Sequence, residues 1–284
     1  MGRLFQHHNR TIEITTAVLV ASLMAPCAKW ILADPQAGRH EHKPATPTNS
    51  GKSDFLQEEL KALITDFGVS ANNIPADFVE KVRRWARLYQ TRDRDEMERV
   101  LGAKHKEFEA VRQQVAGANL PPELAFVTLV ESHFQIRISR AGNVGLWQFT
   151  RDTARRNGLK VNADVDERMD PRKSTTAACQ YFSRLQGHLG PDSSLMLALA
   201  AYNMGPGRLK ERMKQVEDPS HRHDFWYLYR VRVLPAVTRT HIARLMAAIL
   251  IGRQPERFGF KTLTSSDLKT TSSAGVPLTA IVSR

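Results

Sequence analysis

Apolar residues along this chain return every three or four positions. In DFLQEELKALITDF, Phe55, Leu56, Leu60, Leu63 and Ile64 fall on one side of a helix, and in IPADFVEKVRRWARLY so do Phe78, Val79, Val82, Trp85 and Leu88. A stripe of that width is what a surface helix buries against a core. No long alternating pattern competes, so the expected fold is all-α with at most a small β element. It forms a single domain over residues 54–262, with 54–118 as its helical N-terminal part. Helix ends are marked by residue type. Pro121 and Pro122 open ELAFVTLVE, while DPRKSTTAACQYFSRL starts with Asp170 at the N-cap and Pro171 at the first helical position, and Gly187 and Gly190 close it.

The ends of the chain follow other rules. Residues 1–33 begin with Arg3 and Arg10 and then run uncharged from Ile14 to Ala28, the polarity of a cleaved export signal with its cut after Ala28 or Ala33. The run is shorter than the roughly 20 residues that span a bilayer. Membrane contact would therefore need an uncleaved signal or a lipid on Cys27, and Pro26 makes Cys27 a poor lipidation site. Residues 34–53 are rich in Pro, Ser, Thr and Gly and read as a flexible linker, and the polar stretch 263–284 as a loose tail. Removing the signal leaves Cys179 alone, which excludes a disulfide within one mature chain and favours a buried, small apolar role.

The chain carries 41 Lys and Arg against 29 Asp and Glu, or 38 against 28 without residues 1–33. Such a surface suits an anionic polymer. Export disfavours nucleic acid, and no basic stripe interleaved with aromatics is present; RDRDEMER, residues 92–99, mixes signs as a solvated helix face does. No cofactor or metal motif occurs. The pair His221 and His223 reads as part of a solvated loop.

The stretch LVESHFQIRISRAGNVGLWQFT carries the chemistry. Leu124, Val127 and Glu131 share a helix face, so Glu131 points inward. Desolvation there favours the protonated carboxyl that a general acid must present. Gly142 and Gly145 permit a sharp turn or close approach of a ligand, and Trp147 with Gln148 supplies an apolar body and a bidentate amide, a combination suited to sugars. In LALAAYNMGPGRL an apolar helix runs into Tyr202 and Asn203 before a glycine-bounded stop.

Taken in order, LPPELAFVTLVES, GLWQF, VDERMDPRKSTTAACQYF, LALAAYNMGPGRL and DFWYLYRVRVLP with RQPERFGF resemble the lytic transglycosylases of glycoside hydrolase family 23, most closely the membrane-bound lytic murein transglycosylase D type. The resemblance implies a lysozyme-like helical fold that cleaves peptidoglycan between N-acetylmuramic acid and N-acetylglucosamine in the cell envelope or periplasm. It puts the catalytic glutamate at Glu131, acid first and then base toward the muramoyl C6 hydroxyl, so that a 1,6-anhydro ring closes. It puts substrate-binding positions at Ser139, Gly145, Trp147, Gln148, Tyr202 and Asn203. Since the substrate supplies the nucleophile, one carboxylate suffices; Asp152, Asp164, Asp166, Glu167 and Asp170 read as caps and loop residues.

The chain departs from the family pattern in three places. Glu131 to Ser139 is one residue shorter, with QIR where NP is usual. The segment usually written ETRNY is VTRTH, which puts His241 in place of the tyrosine that faces the catalytic glutamate. A neutral histidine donates the same hydrogen bond, whereas a protonated one would hold Glu131 ionised and silence the acid. No lysin-motif repeat follows the catalytic segment. Two other outcomes stay open at this level: a goose-type lysozyme that hydrolyses with water, and a wall-binding protein that has lost turnover. A secretion or conjugation apparatus is a further candidate partner.

Overall fold

The computed structural model describes residues 55–190 and 193–261. The expected export signal, linker and tail at 1–33, 34–53 and 263–284 lie outside the described residues. Eleven α-helices are present among the described residues. The first four are α1 (Phe55–Asp66), α2 (Ala76–Gln90), α3 (Arg94–Leu101) and α4 (His105–Gly117). Next come α5 (Phe126–Ser132), α6 (Arg151–Arg156), α7 (Pro171–Leu189) and α8 (Leu195–Met204). The last three are α9 (Pro206–Lys214), α10 (Phe225–Arg230) and α11 (Ala236–Arg253). Strand structure within the described residues is limited to isolated bridges, Ile138 to Val144 and Val144 to Phe149 in one loop and Val161 to Asp166 in another. The fold is all-α, as the periodicity predicts.

Two helices make the centre. In α11, Ile242, Ala243 and all of Leu245 to Ile251 are buried, and α8 is buried from Leu195 to Ala201. A helix apolar on every side belongs inside a core, where each Leu or Ile contributes about 2 kcal/mol by leaving water. Around α11 pack α1, α2, α5 and α8. Gly252 lets the edge of Phe126 lie against the backbone of α11, a space that a Cβ would fill. This contact seats the start of α5 on the central helix.

The amphipathic helices largely follow their stripes. In α1, Leu56, Leu60, Leu63 and Ile64 are buried. The buried set of α2 is Phe78, Val79, Val82, Ala86 and Tyr89, while Trp85 and Leu88 are half-buried. The core therefore takes Tyr89, whose hydroxyl meets a charged partner inside, and Trp85 moves to the rim of a cleft. α7 starts as expected, with the Asp170 carboxylate accepting from the Lys173 N–H at 2.9 Å and Pro171 in the first turn. It runs through Gly187, however, and stops only at Gly190, whose φ of 116° suits glycine alone. Gly187 points to open space, so its weak helix propensity costs about 1 kcal/mol without breaking the hydrogen-bond ladder. Cys179 is buried, and burial pushes its thiol pKa up. No helix of the described residues is long and apolar enough to cross a membrane.

Candidate active site

α5 is only seven residues long and follows a 3-10 turn at Pro122–Ala125. Its end is tight. His133 and Phe134 both adopt left-handed backbone, with φ of 57° and 53°, and the N–H groups of His133 and Phe134 donate to the carbonyls of Leu129 and Thr128 at 2.9 and 3.1 Å. This closure is normally made by glycine, and two larger residues cost on the order of 1 kcal/mol each. Tertiary contacts hold the turn. Phe134 is buried against Phe108 with ring centroids 5.2 Å apart, and the His133 carbonyl accepts from Arg99 at 2.8 Å. Ser132 is fully buried and donates to the Thr128 and Leu146 carbonyls, both at 2.8 Å, tying α5 to the glycine-bounded loop.

The penultimate residue of α5, Glu131, opens into a cleft of about 900 Å³. Its side chain is 18% exposed, and its Oε1 lies 2.8 Å from Nε2 of His241 in the second turn of α11. His241 is buried, and its Nδ1 has no protein hydrogen-bond partner. Nε2 is therefore the ring nitrogen that engages the carboxylate. One carboxylate oxygen is pinned by this contact, and Oε2 is left for a ligand.

Gln148 lines the same cleft, at a left-handed φ of 50°. Its amide nitrogen donates to the carbonyls of Gly145 at 2.8 Å and Arg137 at 3.2 Å, which leaves the amide oxygen as acceptor. The remaining expected site residues support the cleft from behind. Trp147 is 1% exposed, with its indole N–H donating to Thr175 at 3.0 Å and its carbonyl accepting from the Tyr202 hydroxyl. Trp147, expected to line the sugar cleft beside Gln148, instead points into the core, because the turn at Gln148 directs the two side chains apart and only Gln148 reaches the cleft. Tyr202 stacks on Phe182 at 5.0 Å and is held in its neutral form, first by burial and then by the charge of nearby Glu131. The Asn203 Oδ1 accepts from Thr238 at 2.8 Å, three residues before His241, and so braces the start of α11. The Ser139 hydroxyl accepts from the Asn143 N–H at 3.0 Å and shapes the loop whose Asn143 reaches the cleft. Gly145, at φ 82°, lies so close to the carbonyl of Arg168 that a Cβ there would overlap it.

Arg168 is the pin of that loop. Its side chain is 5% exposed, forks on Asp166 at 2.8 and 2.7 Å, and donates to the Phe149 carbonyl at 3.1 Å. Its hydrogen bonds hold the Asp166 carboxyl below the ordinary range. Asp166→Asn leaves this buried guanidinium without its counter-charge and is expected to cost about 2 kcal/mol of unfolding free energy at pH 7. Because the folded pKa is depressed, the contribution is complete above about pH 5 and lost as pH falls through the folded value. Denaturant titrations of both proteins at pH 7 and pH 3 should show a gap that closes in acid; a gap of the same size at both would refute this account.

The sequence reading missed the opposite wall. Asp93, Glu96 and Trp85 line the cleft, from α2, α3 and the turn between them. RDRDEMER is thus not a wholly solvated face: Asp93 and Met97 are buried and Glu96 is half-buried. The signal was present, since Met97 and Val100 mark an inward face that Asp93 and Glu96 share at helical spacing. Both carboxylates are committed to cations. Asp93 pairs with Arg92 at 2.6 Å, and Glu96 pairs with Arg244 at 3.0 Å and lies 2.6 Å from Nδ1 of His133. Arg244 also meets the Tyr89 hydroxyl at 3.0 Å and lies over the Trp85 ring at 5.1 Å. Burial alone would weaken its hold on the proton, but Tyr89 and Glu96 outweigh burial and hold its pKa above the ordinary value. Asp166, Glu167 and Asp170 cap helices or pair with Arg168 and Lys173, as expected of loop residues. Among the described residues no cluster of three metal-ligating side chains occurs; His221 stacks on Tyr227 and His223 faces Ser193.

Residues 110–225 match the family model of the transglycosylase SLT domain. The chain is 33% identical over 155 residues to membrane-bound lytic murein transglycosylase D of Escherichia coli (strain K12), covering 54% of this chain and 33% of that protein. It is 33% identical over 112 residues to membrane-bound lytic murein transglycosylase F 1 of Alkalilimnicola ehrlichii, covering 38% and 22%. A membrane-bound lytic murein transglycosylase F of Pectobacterium atrosepticum is 30% identical over 115 residues, covering 39% and 23%. The chain thus spans at most about a third of the length of these relatives.

Proposed function

With an SLT domain over residues 110–225 as the premise, we propose that this protein is a peptidoglycan lytic transglycosylase of the bacterial envelope, acting in the periplasm. The observation that carries the reading is a half-buried Glu131 in the cleft, with one oxygen pinned by His241 and, among the described residues, no unpaired second carboxylate lining it. Glu131 protonates the glycosidic oxygen as the bond to the muramoyl C1 breaks. The resulting carboxylate then takes the proton of the muramoyl C6 hydroxyl, whose oxygen closes on C1. No water is consumed, and Glu131 ends protonated as it began. Gln148 offers its amide oxygen to a sugar hydroxyl or N-acetyl N–H, and the Trp85 rim offers an apolar face.

The test is digestion of purified peptidoglycan, with the released muropeptides resolved by mass. Products lighter by one water than reducing muropeptides are expected. Full-mass reducing products would instead make the protein a hydrolase of goose-type lysozyme chemistry, with Glu96 or Asp93 as the second acid. Wall binding without release would make it a binding protein.

His241 has its own expected signature. His241→Tyr keeps a donor toward Glu131 and should retain most activity. His241→Phe removes the donor and should lower kcat about tenfold, the value of one hydrogen bond to a charged group, with little change in KM. Equal rates for the two variants would remove His241 from the mechanism.

A further inference from the structure

Among the described residues, one arginine of the cleft has no carboxylate partner, and it is Arg137. Arg137 lies six residues after Glu131, in the segment QIR. Its neighbours Ile136 and Ile138 are 48% and 65% exposed, whereas Arg137 is half-buried and lines the cleft with Glu131 and Gln148. The two isoleucines thus face solvent, and the arginine between them faces inward. Its place is built into the loop, because the Arg137 carbonyl accepts from the Gly145 N–H at 2.9 Å and from Gln148 at 3.2 Å. Yet its Nε is buried with no hydrogen-bond partner, and its guanidinium forms no ion pair among the described residues. The other arginines of the cleft face carboxylates, Arg92 on Asp93 and Arg244 on Glu96.

A buried donor left unmatched is costly, and a guanidinium fork is matched best by two oxygens of one carboxylate.

Resting on the transglycosylase reading, we propose that Arg137 binds a carboxylate on the muramyl residue and so selects muramyl over unsubstituted N-acetylglucosamine units in the cleft. That carboxylate has two sources: the lactyl group itself in strands stripped of peptide, or the stem peptide in strands that keep it.

The test uses the full chain carrying Glu131→Gln, so that ligands are bound and not consumed. Calorimetry would compare four tetrasaccharides: muramyl-containing with free lactyl carboxyls, the same with stem peptides, the same with lactyl carboxyls converted to amides, and chitotetraose. At least one carboxylate ligand should bind about tenfold (~1.4 kcal/mol) more tightly than the amide and chitotetraose. Adding Arg137→Met should erase that preference while leaving chitotetraose binding unchanged, and Arg137→Lys should restore part of it. Preference for the peptide-free ligand assigns the lactyl carboxyl, and preference for the peptide-bearing one assigns the stem. Equal binding of all four ligands, or an equal loss for all four in Arg137→Met, overturns the proposal. If wild-type protein releases no anhydro product while the Arg137-dependent preference persists, the transglycosylase reading fails and carboxylate recognition stands.

Discussion

Glu131→Gln should lower anhydro-muropeptide release by roughly a thousandfold, within the range that positioned acid–base groups contribute. In the proposed mechanism one carboxyl serves both proton transfers, and among the described residues the other cleft carboxylates are committed, Asp93 to Arg92 and Glu96 to Arg244 with His133. The substitution is nearly isosteric. The Gln oxygen can still accept from Nε2 of His241, so the unfolding midpoint should stay close to that of the wild type. Initial rates on purified strands, together with a denaturant titration, separate chemistry from folding. Retention of more than a tenth of the activity would rule Glu131 out as the acid. Glu96→Gln is the informative companion. It should disturb the Arg244 pair and stability more than product identity, and a loss as deep as that of Glu131→Gln would bring a second carboxylate into the reaction.

The largest effect on stability is expected at Gly145. Alanine there adds a methyl group where the Arg168 carbonyl already sits and forces a φ of 82° on a residue with a Cβ. Overpacking costs about 1–3 kcal/mol and the left-handed backbone about another 1, so a loss of 3 kcal/mol or more is expected. Gly142 is the control, with φ 79° and nothing within 4 Å of its missing Cβ. Gly142→Ala should cost only about 1 kcal/mol. Denaturant titrations of the two variants give the difference directly. Similar losses would mean that crowding against Arg168 contributes nothing and that backbone conformation alone selects glycine. The role of Gly145 as a place of close approach is real on this view, but what approaches is the protein's own backbone.

The helices were legible because burial leaves a periodic trace, as in Leu56, Leu60 and Leu63 of α1, and their ends because Asp170 and Pro171 have few other uses side by side. Glu131 was legible for the opposite reason, being a charged residue on an apolar face. Trp147 was misread because composition does not carry direction. A tryptophan next to a glutamine suggests a sugar platform, but the left-handed turn at Gln148 separates their side chains, and Thr175 claims the indole N–H. The wall formed by Asp93, Glu96, Arg137 and Arg244 was legible only in part, through the inward face that Asp93 and Glu96 share with Met97 and Val100. Its members come from three separate segments and are neighbours only after folding, and a mixed-charge run looks alike whether its pairs are solvated or half-buried. His241 was found from a motif, but its contact with Glu131 spans 110 positions and depends on how α11 lies against α5.

That placement also governs how the protein fails on heating. Many enzymes lose activity below their melting point because the groups that do the chemistry sit on segments that loosen early. Here the partner of Glu131 stands on α11, whose stretch from Leu245 to Ile251 is buried throughout. His241 cannot drift from Glu131 unless α11 leaves the core, so inactivation and global melting should coincide as one cooperative event, with little of the warm, folded but idle state that loop-built sites display.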